Sequence, residues 1–271
     1  MTAHHSPLTK ATDYPDTYTP SVLFPIARAE NRTAFGIRDP WPFHGHDLWN
    51  AYELSWLDPQ GKPQVALGQY VIPCTSVNLI ESKSFKLYLN SFNQTVFTHL
   101  LHVQQTMEND LSKAAGAKVE VQLFSVEDPA LQPRPLQGFL LDNLEITTDT
   151  YEPCPDFLSQ KNLSVQEILV SHLLRSNCPV THQPDWGTVI IRYEGKQIDH
   201  EGLLKYIISF RKHSGFHEEC VERMFQDLMT RVKPETLTIE ARYTRRGGLD
   251  INPIRSTEPL TAPLFSRLIR Q

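Results

Sequence analysis

Residues 81–92 read Glu81-Ser-Lys-Ser-Phe-Lys-Leu-Tyr-Leu-Asn-Ser-Phe92, and part of this stretch returns later in the chain. Tyr88, Ser91 and Phe92 recur at the same spacing as Tyr206, Ser209 and Phe210. Further on, Met107, Asp110 and Leu111 recur as Met224, Asp227 and Leu228. The surroundings of the two copies agree as well. Before the first copy, residues 48–56 and 65–72 alternate like strands around the turn signal Asp58-Pro-Gln-Gly61. A helical pattern runs over 82–111 with a break near Asn93, and strand-like runs follow at 119–126 and 138–147. The second half repeats that order, with strands at 165–174 and 188–193, helices at 201–212 and 217–232, and strands at 237–243 and 251–256. Val221, Phe225, Leu228 and Val232 fall at helical spacing and predict one buried face. A duplication explains both the identities and the order. The expected class is α+β: two modules, each an antiparallel sheet with two helices on one face. The expected divisions are an extended, proline-rich leader over 1–45, a first module over 46–150 and a second over 151–271.

Composition narrows the function. The chain has 271 residues, 40% of them hydrophobic, enough for a substantial core, and a formal charge of −5. That balance lacks the basic surface of a direct nucleic-acid binder. No apolar run is long enough to span a membrane, and the first residues, MTAHHSPLTK, carry no apolar stretch of an export signal. The four cysteines, Cys74, Cys154, Cys178 and Cys220, form no CxxC pair, so free thiols in a cytoplasmic setting are expected.

Four segments can carry chemistry. Ser176-Asn-Cys-Pro-Val-Thr-His-Gln-Pro-Asp-Trp-Gly187 is a polar, proline-bent loop between strands that can bring Cys178 to Asp185. A thiol and a carboxyl together suit addition to a polarised multiple bond, with sulfur attacking and the acid delivering a proton. A buried thiol and a turn-capping aspartate would leave the same pattern. Phe216-His-Glu-Glu-Cys220 starts a helix, where acids suit the helix dipole. Alternatively Glu218, beside His217, accepts the N–H donors of a guanine-like ring. Cys220 reads as core. Lys83 and Lys86 share a helix face that can hold phosphate or merely face solvent, and Arg245-Arg-Gly-Gly248 is a basic turn suited to phosphate. No GxGxxG follows a strand and no P-loop occurs. His44-Gly-His46 lacks a second ligand pair, so it reads as a polar loop and no metal is expected.

Taken in order, segments 81–92, 176–187 and Ser209-Phe-Arg-Lys-His-Ser-Gly-Phe-His-Glu218 closely resemble the NADPH-dependent 7-cyano-7-deazaguanine reductases of queuosine biosynthesis, in their long, two-module branch. The likeness runs over roughly residues 20–271. It implies a tandem tunnelling fold (T-fold), a homodimer and the reduction of a nitrile to an aminomethyl group with two NADPH per turnover. By position it assigns Cys178 as the nucleophile that forms a covalent thioimide, and Asp185 as the proton donor. It gives Ile80, Glu81, Ser82, His217 and Glu218 to the substrate, and Ser82, Lys83, Arg246 and Gly247 to NADPH. Rival expectations are a metal-dependent T-fold hydrolase, a nitrilase-like hydrolase that needs no NADPH, and a purine-binding module without catalysis.

Overall fold

The computed structural model describes residues 14–129, 132, 133, 135–260 and 267–271. Along the chain lie β1 (Pro25–Ala27), α1 (Arg28–Ala34), β2 (His44–Leu57), β3 (Pro63–Pro73), β4 (Asn78–Ile80), α2 (Ser82–Asn90), α3 (Leu100–Ala115) and β5 (Glu120–Phe124). The second half carries β6 (Phe139–Leu140), β7 (Gln160–Asn177), β8 (Pro184–Ile198), α4 (His200–Ser209), α5 (His217–Arg231), β9 (Thr236–Tyr243) and β10 (Leu249–Ser256). The class is α+β, as expected.

The strands of the two halves join into one eight-stranded sheet in the order β5-β3-β2-β10-β9-β8-β7-β6, and β1 pairs with β4 separately. All ladders are antiparallel except β6 on β7. The seam is β2 on β10, running from Leu249 opposite Ala51 to Ser256 opposite His44. Gly45 lies in this seam at φ +139°, where a Cβ would stand 2.0 Å from the Ile254 carbonyl oxygen. Only glycine allows the two backbones to approach so closely. The His44-Gly-His46 stretch expected to be a polar loop is therefore the start of β2, with His46 buried.

The recurring residues build the same device twice. Tyr88 donates to Asp110 Oδ2 at 2.6 Å, and Tyr206 to Asp227 Oδ2 at 2.6 Å. Ser91 Oγ donates to the Tyr88 carbonyl and Ser209 Oγ to the Tyr206 carbonyl, both at 2.6 Å. Phe92 and Phe210 each meet the tyrosine of their own helix edge-on, with ring centroids 5.1 and 5.3 Å apart. Each device pins a helix end to the neighbouring helix through a part-buried, charge-assisted hydrogen bond.

Each pair of helices covers its own apolar cluster. Trp49, Tyr70, Phe85, Met107 and Leu111 gather under α2 and α3, joined by Leu249 and Ile251 of β10. Leu174, Ile191, Tyr206, Phe225 and Leu228 gather under α4 and α5, joined by Ile37, Phe43 and Leu141 from the first half. The α5 stripe Val221, Phe225, Leu228 and Val232 is buried as its spacing requires. Each such side chain contributes roughly 1.5–3 kcal/mol of transfer energy.

Two segments differ from expectation. Of the strand expected over 138–147, only Phe139 and Leu140 pair, and they join the far edge of the second half. Leu141 then sinks into the second core, while the Asp142 carboxylate accepts from Ser171 Oγ at 2.6 Å and from the His172 N–H at 2.9 Å. These side-chain anchors replace the ladder that would have continued the strand. In the leader, residues 28–34 form a helix, α1, whose Arg28 and Arg32 are buried rather than solvated. Its inward face is ionic, so an apolar periodicity could not reveal it.

Candidate active site

β7 and β8 form a hairpin whose connection, residues 178–183, presents Cys178 at its first position. The Cys178 N–H donates to the Gln183 carbonyl at 2.9 Å, and the His182 N–H returns to the Cys178 carbonyl at 3.0 Å. His182 adopts φ 56° to close this turn. Asn177 fastens the hairpin to the loop before α5. Its N–H donates to the His213 carbonyl at 2.8 Å, and its carbonyl accepts from the Gly215 N–H at 3.1 Å. The Cys178 loop and the start of α5 are thus held as one unit.

Asp185 lies on β8 opposite Ser176 of β7, on the helix-covered face, so strand alternation aims it toward α5. His217 and Glu218 open α5. The Glu219 carboxylate accepts from the Phe216 N–H at 3.2 Å and caps this helix. From the first half, the junction of β4 and α2 brings Ile80, Glu81 and Ser82. Across the seam, these groups meet in one narrow cleft lined by Ile80, Glu81, Ser82, Cys178, Asp185, His217, Glu218 and Arg246, together with Trp49 and Ile251. All the residues expected at substrate and chemistry are therefore brought together. Lys83 and Gly247 lie instead in an adjoining cleft of about 260 Å³, with Lys86, Asn90 and Gly248. Arg246 and Gly247 are consecutive, so the basic turn spans both clefts.

The electrostatics favour an activated thiol. Burial works to raise the Cys178 pKa. Hydrogen bonds from the Thr181 hydroxyl, the Thr181 and Val180 backbone and the Arg246 side chain outweigh it and hold the thiol below its ordinary value. Burial likewise opposes the charge on Asp185, yet His217, Arg246 and Lys86 hold its carboxyl below the usual range. His217 Nε2 stands 3.6 Å and Arg246 NH1 3.2 Å from Asp185 Oδ1. Cys220, by contrast, is fully enclosed, and burial pushes its thiol up to about 12. It belongs to the core, as its place on the α5 stripe indicated.

Glu218 is 3% exposed, and burial together with the nearby Asp47 carboxylate pushes it up to about 7. Glu81 has a local duty as well as a place in the cleft. It caps α2 by accepting from the Lys83 N–H at 2.8 Å and the Ser84 N–H at 2.7 Å. Burial is the main influence on its carboxyl and raises it. Lys86 is lowered to about 8, by burial first and then by Arg246. Arg245, flanking the same turn, faces the other side of the sheet, where its guanidinium lies 4.2 Å above the Tyr52 ring. Of the two arginines, only Arg246 lines the cleft.

Sequence reasoning left Thr181 and Val180 without a role, although both lie inside a quoted motif, and offered Lys86 only as part of a face that can hold phosphate. It also missed a buried ionic cluster behind the cleft. Arg28 donates to Asp47 Oδ2 at 2.5 Å and to Ser76 Oγ at 3.0 Å. Arg32 and Arg255 both grip Glu222, at 2.6 and 2.7 Å, and Arg255 also pairs with Asp47 at 2.8 Å. The available signal was charge at core positions: Asp47 in an apolar strand, Glu222 beside the α5 stripe and Arg255 within β10.

Comparison with known proteins identifies the family. Residues 14–123 match the family model described as the N-terminal part of nitrile reductase, 7-cyano-7-deazaguanine reductase, and residues 184–261 match that of QueF-like proteins. The NADPH-dependent 7-cyano-7-deazaguanine reductase of Burkholderia ambifaria is 56% identical, with both chains covered in full. The enzymes of that name from Dechloromonas aromatica and Chromohalobacter salexigens are 55% and 53% identical, over 96% and 98% of their lengths. A solved archaeosine synthase QueF-Like structure aligns over 38% of this chain at 18% identity and a TM-score of 0.31, too partial a likeness to bear on the fold.

Proposed function

This chain belongs to the family of NADPH-dependent 7-cyano-7-deazaguanine reductases, oxidoreductases that act on a nitrile, and from that premise we propose a mechanism centred on Cys178. The substrate is 7-cyano-7-deazaguanine, the product its 7-aminomethyl counterpart, and two NADPH are used per turnover. The observation that carries the proposal is the shared cleft, in which a thiol of lowered pKa and an ionised carboxylate face an acid suited to a guanine-like ring.

Glu218, with His217 beside it, accepts the N–H donors of the ring, and the Ile80–Ser82 loop supports its other edge. That places the nitrile carbon at Cys178. Sulfur adds to the carbon, and the C≡N bond becomes a C=N bond of a thioimide. Asp185, ionised at rest, takes the thiol proton and returns it to the nitrile nitrogen. The single carboxylate thereby serves as base and then as acid, which reconciles its low pKa with proton donation. After the first reduction the sulfur leaves as thiolate, giving an imine, which the second reduction converts to the amine.

The adjoining cleft fits a dinucleotide phosphate. Lys83 and Lys86 line it with Gly247, whose absent side chain leaves room: a Cβ there would stand 3.0 Å from Lys86 Cδ. Ser82, Lys83, Arg246 and Gly247 would hold NADPH, Lys86 adding a further cation, and the bound nicotinamide supplies hydride. Arg246, between the clefts, would orient both ligands.

The chain is further proposed to act in the cytoplasm as a homodimer, in queuosine biosynthesis. The decisive assay counts NADPH oxidised per nitrile consumed. Two are expected, with the amine as product. Nitrile turnover without NADPH, or release of ammonia, would instead establish a hydrolase.

A further inference from the structure

Trp49 lines the cleft that holds Cys178, and the mechanism gives it nothing to do. It lies on β2 between Tyr70 of β3 and Ile251 of β10, and Ile251 lines the cleft as well. Its ring packs against Phe85 of α2, with centroids 5.1 Å apart, and the residue is 1% exposed. Strand register and the ring on the helix thus hold the indole in one place. Its Nε1–H, closed off from solvent, has no hydrogen-bond partner among the described residues. An indole nitrogen can only donate, and a buried one ordinarily finds an acceptor, because leaving it unpaired is costly. Arg246, also in the cleft, has a nitrogen without a hydrogen bond, but that NH1 stands 3.2 Å from the Asp185 carboxylate. The Trp49 N–H has no such neighbour among the described residues. The apolar cluster around Phe85 uses the ring of Trp49 and has no use for its nitrogen.

We propose that Trp49 is a substrate-binding residue whose indole N–H donates to an acceptor atom of the deazaguanine ring. This deepens the reading of the cleft given above and rests on it. The acids of the cleft, Glu81, Asp185 and Glu218, can take N–H donors from the ring but, when ionised, give nothing to its acceptors. In the proposed mechanism Asp185 serves the nitrile nitrogen. The ring carbonyl oxygen and the ring nitrogen N3 remain, and each needs a donor once entry into the cleft strips its water. An N–H already fixed by its surroundings meets that need with little further loss of freedom. It also selects against a ring that offers no acceptor at that edge, since the indole is then left unpaired beside it.

The test measures affinity by calorimetry in the full chain carrying Cys178→Ala, which removes covalent capture. The ligands are 7-cyano-7-deazaguanine, its 6-thio form and its 3-deaza form, and both analogues keep the N–H donors that Glu218 reads. Trp49→Phe keeps an aromatic ring and removes the N–H. It should weaken binding of the parent ring roughly five- to tenfold. With the analogue whose acceptor has been altered the same substitution should cost far less: the 6-thio form if the indole serves the carbonyl oxygen, the 3-deaza form if it serves N3. Lost packing weakens every ring alike, so an equal loss with all three ligands, or none with the parent, overturns the inference. Should Trp49→Phe fail to fold, nitrogen–proton correlation spectra of the indole groups in the Cys178→Ala chain decide. The Trp49 signal is identified by elimination with Trp41→Phe, Trp56→Phe and Trp186→Phe. Its proton should move downfield when the parent ring binds, and less with one analogue. A signal that stays in place, or moves alike with all three, overturns the inference. Glu218→Gln separates the two levels. If it leaves the parent affinity unchanged, the reading of the cleft fails and the role of Trp49 with it. If it weakens binding while Trp49→Phe costs the same with every ligand, only the role of Trp49 is lost.

Discussion

The two halves share a scaffold and differ in what they place on it. Glu81 caps α2, and at the matching place Asp199 caps α4 by accepting from the Gly202 N–H at 2.9 Å. After those caps the copies diverge. The first continues with Ser82, Lys83 and Lys86, whereas the second has His200, Glu201 and the buried Leu204. At the start of the following helix the contrast reverses. The second half presents His217 and Glu218 to the cleft, and the first presents Leu100 and Leu101, 45% and 59% exposed. The hairpin that carries Cys178 in one half is the Asp58–Lys62 turn in the other, closed by Asp58 Oδ1 accepting from the Gln60 and Lys62 N–H groups. Duplicated scaffold, divided equipment: in the proposed mechanism one copy contributes Glu81, Lys83 and Lys86, and the other contributes Cys178, Asp185, Glu218 and Arg246.

That division can be broken by experiment. The largest effect belongs to Cys178→Ala, expected to abolish both turnover and the covalent adduct seen by mass spectrometry without NADPH. The counterpart Gln60→Ala should do neither. Asp185→Asn should slow adduct formation by roughly 10²–10⁴-fold, the range for a lost general acid–base, as followed by quenched time points. Glu218→Gln should weaken substrate binding by roughly 1.5–3 kcal/mol, the worth of hydrogen bonds to a charged group, while Leu101→Gln leaves calorimetric affinity unchanged.

Smaller effects test the shared scaffold. Iodoacetamide should modify Cys178 at a pH below that of an ordinary thiol, and Thr181→Val should shift its rate profile upward, because the hydroxyl that stabilises the thiolate is gone. Cys220 should stay unmodified in the folded protein, with its thiol near 12. Smallest are Tyr88→Phe and Tyr206→Phe, each expected to cost about 1 kcal/mol in urea unfolding. Asp110 keeps a second donor, Tyr18 at 2.7 Å, and among the described residues Asp227 keeps only Arg223 at 3.7 Å, so the second variant should be the worse.

The same repeat decided what could be read from the sequence. Strand and helix order followed from periodicity and turn residues, and the recurring Tyr, Ser and Asp marked the duplication, though not the packing device they build. Cys178 and Asp185 could be paired because the loop between them is short and bent by proline. Three things were out of reach. The β2–β10 seam joins segments far apart in the chain, and no local pattern encodes that pairing. The Asp142 anchors that cut short the strand after residue 140 depend on Ser171 and His172 of another strand. The ionic face of α1 gives no apolar stripe, so Arg28 and Arg32 read as ordinary polar residues until Asp47 and Glu222 are placed opposite them.

The seam also has a consequence for synthesis. The Asn50–Asp250 hydrogen bond spans 200 residues, and Leu249 and Ile251 complete the cluster around Trp49. At ribosomal speeds of roughly 5–20 residues per second, β2 emerges on the order of ten seconds or more before its partner β10 exists. Throughout that interval the nascent chain exposes an unpaired strand edge and an unfinished apolar face. A fold that closes its first half with β10 therefore leaves that edge open through most of translation, and its yield should fall as elongation slows.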